Sequence, residues 1–115
     1  MHDFKKLLVY QKALVFTKIV RQTTTNFPKE ELFGLNAQFR RPSDSIVLNI
    51  AVGAGNSSKK EFSRLLDIVI RSGFECVGCL DIALENNFIT TKGYEEILAR
   101  VHEITAMLYG LKKKL

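Results

Sequence analysis

The chain has 115 residues, 17 Lys and Arg against 12 Asp and Glu for a net charge of +5, and only two prolines and seven glycines. That length makes one domain, residues 1–115, able to bury a core without metals or disulfides, and so little proline and glycine argues against a turn-rich β fold. No segment reaches the roughly 18 uninterrupted apolar residues of a membrane-spanning helix, and the apolar run after Lys5-Lys6 lacks a signal-peptide cleavage site, so a cytoplasmic protein with reduced thiols is expected.

The first predicted helix covers about Asp3 to Thr25. Val9, Ala13, Phe16 and Val20 form an apolar row, widened by Phe4, Leu7, Leu8 and Leu14, with Lys5, Lys12, Lys18 and Arg21 opposite. This is helical periodicity with one apolar face. Thr23-Thr24-Thr25-Asn26 weakens its end, and Phe27-Pro28 breaks it. Pro28-Lys29-Glu30-Glu31 suits a short helical turn, because proline fits a first helical position and acids favour the positive end of the helix dipole.

The second helix is expected from Asn36, as N-cap, to Ala51 or Val52, with Phe39, Ile46 and Ile50 as its apolar row. Pro42 falls inside it and predicts either a kink near Gln38–Pro42 or a later start at Ser43. Gly53-Ala54-Gly55-Asn56-Ser57 reads as the loop that follows. The third helix, 58–86, opens on the capping box Ser58-Lys59-Lys60-Glu61. Its row is Phe62, Leu65, Leu66, Val69, Gly73, Cys76, Val77, Leu80, Ala83 and Leu84. Asp67, Arg71 and Glu75 stand at i,i+4 spacing on its outer face. Ile70, Gly78 and Cys79 lie off the row, a hint of a further packing surface. Asn86-Asn87 ends the helix and Phe88-Ile89 turns back to the core. The fourth helix starts near Thr91 with Tyr94, Ile97, Leu98, Val101, Ile104, Leu108 and Leu111, and its lysine tail is expected to fray. Four amphipathic helices with short connections make an all-α, antiparallel up-down-up-down bundle.

The polar stripe Gln38, Arg41, Ser45, Asn49 follows helical spacing on one face of the second helix. It reads either as a nucleic-acid contact, with Arg on phosphate or base, or as a hydrogen-bond network fixing helix register. The structural reading is preferred, because Ile46 and Ile50 border the stripe. Arg40, Arg41, Lys59, Lys60 and Arg64 flank the connection between the second and third helices and are the candidate phosphate contacts. A solvated surface is the bland alternative. No aromatic residue interleaves these five, so stacking on single strands is not indicated. Charge is also uneven along the chain: residues 1–64 hold eleven Lys and Arg against five Asp and Glu, and residues 65–111 three against seven. Such asymmetry fits a phosphate-facing surface, faces that pair within or between molecules, or charge with no specific partner.

No catalytic constellation stands out. Cys76-x-x-Cys79 lies mid-helix, with Cys76 on the core stripe, where packing is the expected role; a structural zinc needs about four ligands, and only His2 and His102 remain elsewhere in the chain. His102 reads as a surface histidine. Ser45 lacks a Gly-x-Ser-x-Gly elbow, and Gly53–Lys59 lacks the Gly-Lys-Ser/Thr of a nucleotide loop, although its backbone donors suit one phosphate. No metal, cofactor or enzymatic activity is expected.

The ordered set Leu8-Val9-Tyr10-Gln11-Lys12-Ala13, Phe27-Pro28-Lys29-Glu30-Glu31, Gly34-Leu35, Gln38, Arg40-Arg41, Ser45-Ile46, Asn49-Ile50-Ala51, Gly53, Glu61-Phe62, Leu66, Ser72 and Glu75 resembles the four-helix bundle family encoded in intervening sequences of bacterial 23S ribosomal RNA genes. The resemblance implies a left-handed bundle assembled into a ring-like homo-oligomer, typically a pentamer, with no established catalysis and with RNA or DNA as the usual proposed ligand. It also implies kinship with accessory proteins of diversity-generating retroelements, which bind a reverse transcriptase. The chain departs from the family pattern at Tyr10, Pro42, Val52, Asn56 and Arg71, where the family usually has Trp, Ala, Glu, Arg and Gly, so a site built on that Glu and Arg does not carry over. The expected function is a non-enzymatic nucleic-acid-binding oligomer; the alternative is an interaction scaffold, such as an accessory subunit for a reverse transcriptase or RNA-processing enzyme.

Overall fold

The computed structural model describes residues 4–55 and 57–115. Its helices are α1 (Leu8–Thr25), α2 (Leu35–Gly55), α3 (Lys59–Glu85) and α4 (Thr91–Lys113), with single 3-10 turns at Phe4–Lys6 and Lys29–Glu31 and no strand among the described residues. Each helix packs on its neighbour in sequence, and α1 closes the bundle against α4. The contacts Arg21–Asp44, Ser45–Ser72, Tyr94–Asp81 and Lys12–Glu103 fix the antiparallel order of all four. The molecule measures 43 × 23 × 21 Å, and α3, at 1.5 Å per residue, runs nearly its whole length, roughly 40 Å. No helix among the described residues is long and apolar enough to cross a membrane.

The apolar rows meet on the bundle axis. Phe16, Val20, Phe39, Ile46, Ile50, Leu66, Val69, Leu80 and Leu108 are essentially without solvent contact, each large side chain contributing about 1.5–3 kcal/mol by burial. Ser58 and Thr90 cap α3 and α4, accepting from the N–H groups of Glu61 and Gly93 at 3.1 Å each. At the end of α3, Asn87 takes a left-handed conformation, φ 60°. Its N–H bonds Leu84 C=O and the Phe88 N–H bonds Ala83 C=O, a Schellman closure with Asn in the usual glycine position. That turn returns Phe88 to the core, 5.8 Å from the ring of Phe27.

Several boundaries and roles differ from the sequence reading. The first helix starts at Leu8, because the turn before it folds Phe4 back onto Tyr10, 5.1 Å away, and onto the backbone at Gly55. Asp3 and His2 lie outside the described residues, as does Asn56. Leu8 and Leu14 are exposed rather than core. The helix does end at Thr25, where the Thr24 and Thr25 hydroxyls donate to the Val20 and Arg21 carbonyls one turn back. Asn36 is not an N-cap but a buried residue inside α2. Pro42 neither delays nor ends α2, since Phe39, Ile46 and Ile50 on both sides of it anchor one continuous helix in the core. Gly53, Ala54 and Gly55 are helical and buried, not loop. Ile70 and Cys79 are buried within the single chain, so of the three residues off the α3 row only Gly78 is exposed. Asp67 pairs with Lys112 of α4 instead of Arg71, which holds the tail in helix as far as Lys113.

Candidate nucleic-acid interface

The polar stripe of α2 divides in two. Ser45 faces α3: its Oγ accepts from Ser72 Oγ at 3.1 Å and from Asn49 Nδ2 at 3.0 Å. Asn49 Nδ2 also donates to the Ser45 carbonyl at 3.0 Å. Only the Ser45–Ser72 bond joins α2 to α3; both Asn49 contacts stay within α2. Arg41 and Gln38, one and two turns nearer the start of α2, point to solvent.

Arg40 turns inward. Its Nε donates to Thr24 Oγ1 at 3.0 Å, while Asn36 Nδ2 donates to the Thr24 carbonyl at 3.0 Å. The guanidinium therefore ties the end of α1 to the start of α2, and Arg40 works as a strut before it works as a phosphate contact. Arg40 and Arg41 also stand far from the other candidates. Gly55 lies fourteen residues after Arg41 in α2, roughly 20 Å along the bundle, and Lys59 and Lys60 open α3 beyond that point, with Arg64 about a turn further into α3. The five basic residues near one another in sequence do not form one cluster. Arg64 is half engaged as well, its Nε donating to Glu61 Oε2 at 2.9 Å, and this contact holds the Glu61 carboxyl below its ordinary pKa.

The structure assembles a different cluster. The turn Phe4–Lys6, the end of α2, the start of α3 and the end of α4 converge on one end of the bundle. Phe4 sits against Gly55, and Lys112 of α4 is paired with Asp67 of α3. A cleft of about 530 Å³ at this end is lined by Leu7, Gly53, Ala54, Phe62 and Leu111, with Lys59 and Lys114 among the flanking residues. Lys6 of the first turn, Lys59, Lys60 and Arg64 of the start of α3, and Lys113 and Lys114 at the end of α4 are exposed on the segments that meet at this end. The opposite end carries Glu30, Glu31, Asp81, Glu85, Glu95 and Glu96 against Lys29 and Lys92. Charge is thus separated between the ends of the rod, not only between the halves of the sequence, and a concentrated positive end attracts polyanions.

Three members of that end, Lys6, Lys113 and Lys114, escaped the sequence reading, as did Tyr109. Tyr109 is 47% exposed and precedes Lys112 and Lys113 by three and four residues, one turn of α4. The i,i+4 spacing of Tyr109 and Lys113 was the available signal. That the end of α4 shares an end of the bundle with Lys59 and Lys60, some fifty residues away, needed the bundle topology.

The remaining candidates are structural in position. Cys76 and Cys79 are buried free thiols, and burial, reinforced by Cys79 and Glu75, pushes the Cys76 thiol well above its ordinary pKa. Such a thiol is unreactive. His102 is exposed on α4, and no group of three metal-ligating side chains occurs among the described residues.

A family model described as 23S rRNA-intervening sequence protein matches residues 5–110. Among solved structures the chain is similar to a protein of unknown function from the S23 ribosomal protein family of Bacteroides thetaiotaomicron. The two share 26% identity over 92% of this chain and 96% of that one, with a TM-score of 0.83. No curated protein matches.

Proposed function

The chain belongs to the 23S rRNA-intervening sequence protein family, and from that membership we propose that it is a non-enzymatic, oligomeric protein that binds RNA or DNA through phosphate contacts at its lysine-rich end. What carries the reading is the convergence of Lys6, Lys59, Lys60, Arg64, Lys113 and Lys114 around one end of the bundle. Lysines are mobile point charges suited to phosphate rather than to base edges, so the binding is sequence-independent and strongly salt-dependent. Arg41 contributes little, and Arg40 acts through the fold. Assembly into a homo-oligomer, a pentamer in the expected case, would repeat the lysine-rich end around an axis and strengthen its field.

Fluorescence anisotropy with RNA and DNA probes from low to moderate salt tests this, with mass followed by light scattering. Steep loss of binding with salt, and its abolition by Lys59→Gln/Lys60→Gln/Lys113→Gln/Lys114→Gln, is the expected result. Absence of binding at low salt would eliminate the reading.

One observation favours an alternative. Leu14, Val47 and Leu48 line an open groove of about 600 Å³ between α1 and α2, with Val52 exposed one turn beyond Leu48. Exposed aliphatic side chains in such a row suit a protein contact, either with another copy or, in the scaffold reading, with a reverse transcriptase or RNA-processing enzyme. Leu48→Glu would then abolish self-association or partner capture while leaving nucleic-acid binding by the monomer intact.

A further inference from the structure

We propose that Tyr109 is a base-stacking platform beside the lysine-rich end, which makes the ligand of that end a nucleic acid with unpaired bases rather than a regular duplex. The inference rests on the nucleic-acid reading above and names the class of ligand within it.

Three aromatic side chains are strongly exposed among the described residues: Phe33, Phe74 and Tyr109. Phe33 lies in the turn before α2, at the acidic end, and Phe74 lies midway along α3. Of the three, only Tyr109 lies within one helical turn of lysines, Lys112 and Lys113 of its own helix. Lys113, four residues on, shares its side of α4, and Lys112, three residues on, is held to α3 by Asp67. The ground beside the ring is open: Ala106 and Gly110 are exposed, and a Cβ added at Gly110 would meet nothing within 4 Å.

The two other tyrosines have structural employment. Tyr10 meets the ring of Phe4 edge-on at 5.1 Å, and the Tyr94 hydroxyl donates to Asp81 at 2.6 Å. Tyr109 combines an exposed aromatic ring with adjacent cations, the pairing that single-strand binders use to stack a base while neutralising its phosphates. A tyrosine ring carries only two side-chain torsions, so ordering it against a base costs little entropy. In a regular duplex the base faces are stacked on each other and only phosphates reach the lysines. The ring therefore discriminates in favour of single strands, loops and bulges.

The chain contains no tryptophan, so Tyr109→Trp places a sole indole reporter at the site. The full chain is titrated at low salt with oligothymidylate, oligouridylate and a duplex of equal length, and both indole emission and probe anisotropy are read. The expected result is quenching by the single strands and not by the duplex. Tyr109→Leu should weaken single-strand binding about tenfold and leave duplex binding unchanged, while Tyr109→Phe retains it. Anisotropy-detected binding with an unquenched indole and an indifferent Tyr109→Leu would overturn the inference and leave the phosphate-binding reading standing. Absence of binding to every probe would remove that reading itself. Emission that changes with protein concentration alone would assign the surface to self-contact and also overturn the inference.

Discussion

Ser72 on α3 donates to Ser45 on α2 across 3.1 Å, and Asn49 Nδ2 approaches the same Ser45 oxygen at 3.0 Å. Ser72 is buried, so its hydroxyl has little access to water. A buried hydroxyl deprived of its partner costs about 1–3 kcal/mol, more than the net worth of the bond. Ser45→Ala is therefore expected to destabilise the fold by about 1–3 kcal/mol, with Ser45→Ala/Ser72→Ala recovering part of the loss. Urea unfolding of the two single variants and the double variant measures the coupling; strict additivity would show that the contact contributes nothing.

Ser43 should behave in the opposite sense. Its hydroxyl is fully buried in α2 and has no hydrogen-bond partner among the described residues. Removing it lifts a desolvation cost and adds helix propensity, so Ser43→Ala is expected to raise stability by about 0.5–1.5 kcal/mol. A lower midpoint in urea would reveal a partner for that oxygen.

Two glycines should likewise respond with opposite sign. A Cβ at Gly53 would lie 2.5 Å from Phe62 Cδ1, whereas one at Gly78 would meet nothing within 4 Å. Gly53→Ala forces the buried Phe62 ring and the α2–α3 contact apart, at about 1–3 kcal/mol. Gly78→Ala, on the exposed face of α3, is worth up to about 1 kcal/mol of added helix stability. Thermal melts that move in the same direction for both would contradict this packing account.

The basic residues should separate by function. Lys59→Gln/Lys60→Gln is expected to weaken nucleic-acid binding across all sequences and to reduce the logarithmic salt slope by roughly 2. Arg41→Gln should leave both unchanged. Arg40→Ala should instead lower stability by about 1 kcal/mol through loss of the Thr24 contact. A salt slope that follows Arg41 and ignores Lys59 and Lys60 would move the interface to α2.

Cys76 gives a pH signature. Its thiol ionises well above its ordinary value of 9.0 because burial disfavours the thiolate. A folded pKa raised above the unfolded one means full stability below the unfolded pKa and progressive loss as pH climbs past it. Stability should therefore fall from about pH 9 upward, and Cys76→Ala should flatten that part of the profile. Thiol titration at neutral pH checks the same burial, with Cys76 reacting only once the chain is unfolded.

The four helices, the Ser58 cap, the turn back at Phe88 and most core positions were legible in the sequence, though not Leu35, Val47, Ala54, Ile70 or Cys79. Helical periodicity and capping are local, so residues three or four apart carry the signal themselves. Helix boundaries were less legible where contacts across the bundle set them. Phe4 seated on Gly55 shortened the first helix, the tight approach of Gly53 to Phe62 lengthened the second, and the core on either side of Pro42 carried α2 through it. Asn36 read as a cap because its side chain suits one. Only the Thr24 carbonyl, twelve residues back, draws that amide inside.

The candidate interface was legible in charge but not in place. The sequence by itself determined an all-helical bundle with an excess of Lys and Arg, because composition and 3.6-residue spacing need no partner to be read. The tertiary structure alone decided which cations stand together. Antiparallel packing gathers residues near 6, 60 and 113 at one end and turns Arg40 toward Thr24, away from the cluster its numbering suggested. The physical reason is that electrostatic and stacking surfaces depend on distances through space, which the order of residues fixes only after the helices have packed.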